Sequence, residues 1–174
     1  MAFKYKLFSL IARIRGKLNP IKYPEGNALW ENEWRNLNAD AFSYKLNSYP
    51  YLSDPLKGLI DHTASFDHFV SSKTKRGRDC DDFARMWSYW GVANDYIARE
   101  YVIINPKHPF KYAHIVTVLE KDNNYMLCNY RNYSSQPTIE KSLDALKLQK
   151  KYADGYWYAL QSTFLPSQLN ISKS

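Results

Sequence analysis

The chain has 174 residues, a mass of 20.5 kDa and a formal net charge of +7, which is the size of one domain or of one domain with an appendage. With 45% hydrophobic and 24% charged residues it has an ordinary globular composition, which excludes a wholly disordered chain. No apolar run approaches the roughly 20 residues that cross a bilayer, so an integral membrane protein is excluded as well. The two cysteines, Cys80 and Cys128, are too few for a disulfide-stapled scaffold and fit free thiols in a reducing compartment.

The positive charge is concentrated at the start of the chain. Residues 1–25 hold six basic residues and one acidic residue, a net charge of +5, whereas the remainder holds 18 basic and 16 acidic residues, a net charge of +2. Binding to DNA or RNA requires basic residues clustered across a folded face. We therefore expect no nucleic-acid partner.

Residues 1–25 are assigned to a leader segment, the basic amphipathic leader helix. Its helical pattern is predicted to end at Asn19-Pro20. Arg13 and Arg15 interrupt its short apolar stretch, which makes it a poor secretory signal. The helix is expected to dock its apolar stripe on the body of the protein or on a partner protein; a membrane surface and organelle targeting are the alternatives. The stripe consists of apolar residues at steps of three and four, Phe3, Leu7, Leu10, Ile11, Ile14 and Leu18.

The next part of the chain is predicted to be mostly helical. Trp30 and Trp34 fall on one side of a helical pattern, which indicates core residues rather than a platform for stacking nucleic-acid bases. The expected elements are a helix over 29–37, a tyrosine-rich loop over 43–53, a short helix from Asp54-Pro55, a helical turn over 65–70 and a loop over 71–78.

The second half of the chain is predicted to form a sheet after one long helix, which indicates an α+β domain. This domain is assigned to residues 26–165, with residues 166–174 as a flexible tail. The expected elements are a helix from Cys80 to about Gly91, a strand over 100–104, a hairpin of strands 112–119 and 125–130 joined at 121–124, a helix over 142–150 capped by Ser142, and a final strand over 155–160.

Cys80 is the candidate nucleophile because a polar loop delivers it to the first turn of a helix. Unpaired backbone N–H groups and the helix dipole place partial positive charge at such a terminus, and both favour the thiolate over the thiol. The acids Asp79, Asp81 and Asp82 also suit a helix N-terminus in their own right. The cations of the preceding loop, Lys73, Lys75, Arg76 and Arg78, are expected to add positive charge near the sulfur.

A cysteine nucleophile needs a base, and the base needs a third group that fixes its orientation. Of the four histidines, His114 lies within a predicted buried strand, whereas His62, His68 and His108 lie in helical or loop surroundings. A zinc site at Cys80 and His114 would need two further ligands, and the chain has no paired Cys/His spacing. We therefore expect no metal and no cofactor.

The segment Gly77-Arg78-Asp79-Cys80-Asp81-Asp82-Phe83-Ala84, followed by Ala113-His114-Ile115-Val116-Thr117-Val118 on a strand and by a hairpin partner, resembles the transglutaminase-like superfamily. It is most similar to the bacterial transglutaminase-like cysteine peptidases, over about residues 54–130. The resemblance implies a papain-like core, with N-terminal helices packed on a small antiparallel sheet, and a Cys–His–Asp triad in chain order. It implies Cys80 as the nucleophile and His114 as the base.

The third triad position departs from the family pattern because no Asp lies between Asn123 and Arg131. Cys128 and Asn129 are the two residues that could fill it. Asn129 is preferred because an amide oxygen can accept the imidazole N–H, whereas a thiol is a weak acceptor. An asparagine brings no charge to stabilise an imidazolium.

The resulting prediction is a thiol-dependent acyl-transfer enzyme, a cysteine peptidase or amidase that cleaves protein or peptide substrates through a thioester. Release of the thioester by an amine would instead make it a protein-crosslinking transglutaminase. The alternative from another class is a non-catalytic binding or structural module that retains the fold, in a virus particle or a membrane-associated complex. The expected location is cytoplasmic or virion-associated.

Overall fold

A computed structural model describes residues 2–18, 22–52, 65–74, 78–108, 113–148, 152 and 155–168. It confirms an α+β fold with an N-terminal helix and one antiparallel sheet. The helices are α1 (Ala2–Leu18), α2 (Ala28–Glu33), α3 (Ala39–Asn47), α4 (Phe66–Val70), α5 (Cys80–Ala93) and α6 (Ile139–Asp144); the strands are β1 (Ile97–Ile104), β2 (His114–Lys121), β3 (Asn124–Asn129), β4 (Asn132–Gln136) and β5 (Trp157–Phe164). The helix expected at Asp54-Pro55, His62 and the loop residues 75–77 lie outside the described residues.

The five strands form one sheet in the order β4-β3-β2-β1-β5. Every neighbouring pair is antiparallel. The predicted hairpin of β2 and β3 is confirmed: Asp122 and Asn123 turn the chain with φ values of 50° and 60°. Two successive residues in the left-handed region are typical of the tight turn whose twist matches that of the flanking strands.

Helix α5 packs on one face of the sheet and carries the largest core. Its residues Phe83, Met86, Trp87 and Trp90 are buried, as its apolar pattern predicts. The short helices α2, α3 and α4 enclose α5 from the other side, and Trp30 and Trp34 are both fully buried in this core. The tryptophans of α2 are therefore core residues, as expected.

A buried polar network fixes α5 to the sheet. The guanidinium of Arg85 on α5 donates to Glu100 on β1 with Nε–Oε1 at 3.0 Å, and both side chains are buried. Ser88 donates to the same carboxylate at 3.0 Å, and Ser162 on β5 donates to its second oxygen at 2.9 Å. One carboxylate thus links α5 and β1, which are consecutive in the chain, with the distant strand β5.

Helix α6 covers the opposite face of the sheet. Alternation along the strands sends Tyr101, Ile103, Val116 and Val118 to this side, where they pack with residues that include Leu143 of α6. The sheet is therefore enclosed on both faces, and β2 is buried along most of its length, including its first residue, His114.

Several element predictions were wrong in part. Residues 43–47 are not loop but the second half of α3, which begins with Asn38 accepting from the backbone N–H of Ala41 at 2.8 Å. Ser142 is not a cap but a buried residue inside α6, whose cap is Thr138. The strand β4 was not expected because its residues are polar and largely exposed.

The leader helix is confirmed over Ala2–Leu18. Of the two docking partners predicted for its apolar stripe, the body of the protein is contradicted, and a partner protein stays a prediction. The opposite face of α1 contacts β5: Ala12 is buried, the hydroxyl of Tyr5 donates to the carbonyl of Tyr158 at 3.0 Å, and Gly16 lies against the carbonyl of Gln161. The stripe residues, Phe3, Leu7, Leu10, Ile11, Ile14 and Leu18, are all exposed. Within the described ranges, none of the helices combines the length and apolarity needed to cross a lipid bilayer.

Candidate active site

The chain enters the candidate site through Arg78, which is a structural residue. Its backbone pairs with Leu52 in an isolated β-bridge, and its buried guanidinium donates to the carbonyls of Phe69 and Ser71. The guanidinium of Arg78 thus holds the turn after α4. That its charge also acts on the cysteine stays a prediction. The same contacts fix the segment that delivers Cys80.

Cys80 is the first residue of α5, as predicted. Asp79 is the N-cap residue, and its backbone N–H donates to the carboxylate of Asp82 at 3.1 Å within a capping box. Asp81 forms an ion pair with Arg15 of the leader helix at 3.6 Å. The acids around the cysteine thus begin the helix and attach α1 to it.

The side chain of Cys80 lies against the beginning of β2. It hydrogen-bonds the backbone of Ile115, the residue that follows His114 in β2. Cys80, Phe8 of α1 and Trp157 of β5 pack against one apolar cluster that includes Ile115. The strand that carries the predicted base is therefore the strand that contacts the predicted nucleophile.

The expectation that Cys80 is held as a thiolate is wrong for this structure. Burial raises the pKa of the Cys80 thiol to about 12, and the negative charges of Asp81 and Asp79 raise it further. The Ile115 backbone and Arg15 act in the opposite direction but are weaker. Because a thiol with a raised pKa keeps its proton at neutral pH, the resting form of Cys80 is the neutral thiol.

The structure brings His114 and Asn129 together. Nε2 of the buried His114 lies 2.7 Å from Oδ1 of Asn129, at the ends of adjacent strands. Cys128, the other candidate for this position, pairs with Thr117 and packs in the core on the α5 side. Of the two candidates, the one in contact with the imidazole is Asn129.

The hydrogen bond also assigns the two ring nitrogens of His114. An amide oxygen only accepts, so Nε2 must carry the proton that Asn129 binds. A proton taken from a thiol by the neutral ring would therefore go to Nδ1. The strand pairing and Asn129 fix the orientation of the ring, which is the task of the third residue in a nucleophile–base–orienter arrangement.

Tyr130, which the sequence analysis did not single out, covers the imidazole. Its ring centroid lies 4.6 Å from that of His114, with an angle of 35° between the planes. Tyr130 has a φ of 53°, and its carbonyl accepts from Nε1 of Trp87 at 2.8 Å. Its position immediately after Asn129 was the only sequence signal that could have identified it.

Two tyrosines lie within electrostatic reach of Cys80. Ionisation of Cys80 would raise the pKa of Tyr130, which lies on His114, and of Tyr152, which packs with α6; burial is the larger cause of the raised pKa in each case. Alternation places the side chain of His114 on the α6 side of β2, whereas α5, which begins with Cys80, packs on the other side.

Among the described residues, the possible metal ligands grouped with Cys80 are acids and not histidines. His68 on α4 and His108 after β1 are both exposed, unlike His114. Asp79, Cys80 and Asp81 hold possible metal-ligand atoms within 4.8 Å of one another. Their capping and ion-pair contacts account for the two acids without a metal.

Comparisons with models of protein families, with curated proteins and with solved structures found no match to this chain.

Proposed function

We propose that the chain is a thiol-dependent acyl-transfer enzyme, a cysteine peptidase or amidase with a papain-like arrangement of its core. The observation that carries the proposal is the 2.7 Å contact between His114 and Asn129, on the strand whose next residue hydrogen-bonds Cys80. These two contacts support a site in which Cys80 is the nucleophile, His114 the base and Asn129 the orienting amide. The resemblance to transglutaminase-like peptidases agrees with this order of residues in the chain.

In the proposed reaction, Sγ of Cys80 attacks the carbonyl carbon of a peptide or side-chain amide while His114 takes the thiol proton at Nδ1. The C–N bond then breaks, and the imidazolium returns that proton to the leaving amine. Water attacks the resulting thioester and releases the acid and the thiol. Asn129 holds the ring through Nε2 during both proton transfers.

The neutral resting thiol sets the timing of the proton transfer. Because the pKa of Cys80 is raised to about 12, a stable thiolate is not available before substrate binds. Proton transfer to His114 must accompany the attack on the carbonyl, as for a serine nucleophile. The N-terminus of α5 then stabilises the negative charge that develops on the substrate oxygen, with the backbone N–H of Cys80 as the expected donor.

A non-catalytic module is the second candidate, and the raised pKa of Cys80 is the observation that favours it. A half-buried, protonated cysteine with a raised pKa behaves as a small apolar residue rather than as a nucleophile. In that case His114, Asn129 and Tyr130 would be a buried structural cluster.

An acylating probe separates the two candidates. We expect a peptide carrying an activated amide or ester to acylate Cys80 at pH 7, as detected by mass spectrometry of the intact protein and its peptides. His114→Ala should slow the acylation about 100-fold or more, because general-base catalysis contributes that much. Asn129→Ala should slow it up to about tenfold, the rate equivalent of one lost hydrogen bond.

Cys128→Ser and Asn132→Ala are the matched controls, since they change a second cysteine and a second asparagine near the sheet end. Both should leave the acylation rate unchanged. Equal and slow modification of Cys80 in wild type and His114→Ala would overturn the proposal in favour of the module. Addition of a primary amine then distinguishes hydrolysis from transamidation, because only a crosslinking enzyme transfers the acyl group to it.

A further inference from the structure

Helix α1 has a continuous apolar surface that the described residues of the protein leave exposed. Six side chains, Phe3, Leu7, Leu10, Ile11, Ile14 and Leu18, are 47% to 78% exposed. At about 100° per residue they form one stripe about 100° wide along the whole helix. Scattered apolar residues on a surface need no explanation, but a contiguous patch of this kind marks an interaction site.

Cations border this apolar stripe on both sides. In the helical projection, Lys4 and Arg15 lie along one edge, and Lys6, Arg13 and Lys17 lie along the other. Lys4, Lys6, Arg13 and Lys17 are exposed, and Arg15 pairs with Asp81. The sequence of α1 contains no acidic residue.

The contacts of α1 with the body keep this surface outward. Tyr5, Ala12 and Gly16 all lie on the face opposite the stripe, and all three contact β5 or its neighbouring cluster. The stripe is therefore displayed by a helix that is already folded and docked, and binding need not include the entropic cost of folding it.

We infer that the exposed stripe of α1 binds the surface of an anionic lipid membrane, with the helix lying in the plane of the interface. Apolar side chains would enter the boundary between headgroups and acyl chains, and the cations on both edges would contact lipid phosphates. A second copy of the chain fits this surface less well, since pairing two stripes would bring the bordering cations together without an acid on α1 to neutralise them.

The inference is tested with vesicle co-sedimentation of the full chain. Vesicles are made of phosphatidylcholine alone or of phosphatidylcholine mixed with phosphatidylserine. We expect binding to the mixed vesicles, weaker binding to the neutral ones, and weakening as salt rises to screen the lipid charge. The Cys80→Ala protein should bind equally, so this test can succeed or fail independently of the proposed enzyme activity.

Two pairs of variants make the test specific. Leu10→Gln with Ile14→Gln should reduce binding to the mixed vesicles about 100-fold, whereas Tyr44→Gln, which changes an exposed aromatic residue on α3, should not. Lys6→Gln with Lys17→Gln should reduce binding about tenfold at low salt. The control for the second pair is Lys73→Gln with Lys141→Gln, which removes the same charge from exposed sites elsewhere.

Circular dichroism checks that every variant is folded, which is expected because the changed side chains are exposed. Absence of binding to the mixed vesicles would overturn the inference. So would equal binding by the stripe variant and its control, or a dimer in solution that the stripe variant abolishes, since a second copy would then cover this surface.

Discussion

The pKa of Cys80 is the residue property that sequence reasoning could not supply. The position of a cysteine at a helix N-terminus predicts a lowered pKa. In the folded chain the pKa of Cys80 is instead raised, chiefly by burial, because α1, β2 and β5 meet around the sulfur. A local pattern of residues contains no information about that packing.

Two substitutions of charged residues near Cys80 should shift the pKa of its thiol in opposite directions. Asp81→Asn removes a carboxylate that disfavours the thiolate, so it should lower the pKa and speed alkylation of Cys80 by iodoacetamide a few-fold at a fixed pH. Arg15→Gln removes a cation that favours the thiolate, so it should raise the pKa and slow alkylation. Peptide mass spectrometry resolves Cys80 from Cys128.

The wild-type rate of this alkylation should still be rising above pH 9, because the pKa of Cys80 is raised to about 12. Glu33→Gln on α2, which does not appear among the causes of the shift, is the control and should give the wild-type profile. A plateau below pH 8 in the wild-type protein would contradict the raised pKa.

The three residues of the candidate triad could be predicted from residue types, from their order in the chain and from a family resemblance. Cys80 was selected from its place at the start of a helix, and the resemblance to transglutaminase-like peptidases implied His114 as the base and a third residue at Cys128 or Asn129. The contact between His114 and Asn129 is present in the structure. Their catalytic roles stay predictions. Tyr130 was missed because its left-handed backbone conformation and its contact with the imidazole depend on Trp87, which lies far away in the chain.

At the scale of elements, the limits of α1 were predictable but its buried face was not. An apolar stripe predicts burial, yet α1 contacts β5 through small residues that allow a closer approach. Gly16 is the clearest case, since a Cβ atom there would lie 2.4 Å from the carbonyl oxygen of Gln161. The pattern of large apolar residues gives no signal of such a contact.

Gly16→Ala should therefore destabilise the docking of α1. At an exposed helix position the same change would stabilise the helix by about 1 kcal/mol; here the clash with backbone should dominate and lower the melting temperature. Hydrogen exchange should become faster in α1 and stay unchanged in β2. Arg13→Ala, on the exposed side of α1, is the control and should leave both measurements near wild type.

A melting temperature of Gly16→Ala at or above that of the wild-type protein would show that α1 is not held against β5 in this way.

Strand β4 shows a different limit of prediction from sequence. Strand β4 was missed because polar residues without alternation carry no strand signal, and its formation depends on pairing with β3.

For the whole molecule, the sequence predicted an α+β domain and one hairpin, but not the order of the strands. The place of β5 beside β1 depends on long-range contacts, among them the bond of Ser162 to Glu100. The charge of Glu100 gave no sign that it would be buried, because charged residues are seldom fully buried unless they are paired. Its partner, Arg85, lies on another element.

Glu100→Ala should destabilise the whole domain. It would leave the buried guanidinium of Arg85 without its carboxylate, and breaking a buried pair in this way costs about 3–5 kcal/mol. Chemical denaturation measures the free energy of unfolding. The matched change in an exposed pair, Glu33→Ala opposite Lys45, should cost less than about 1 kcal/mol; equal losses in the two variants would contradict a structural role for the network.

The position of α1 along β5 also has a consequence for self-association through strands. Unpaired backbone groups on the outermost strand of a sheet can template pairing with another chain. On β5, the hydroxyl of Tyr5 donates to the carbonyl of Tyr158, and the backbone of Gly16 packs closely against that of Gln161. At the other margin, β4 is short and polar. Both margins thus discourage growth of the sheet into fibrils, and at β5 this protection comes from the helix that carries the exposed apolar stripe.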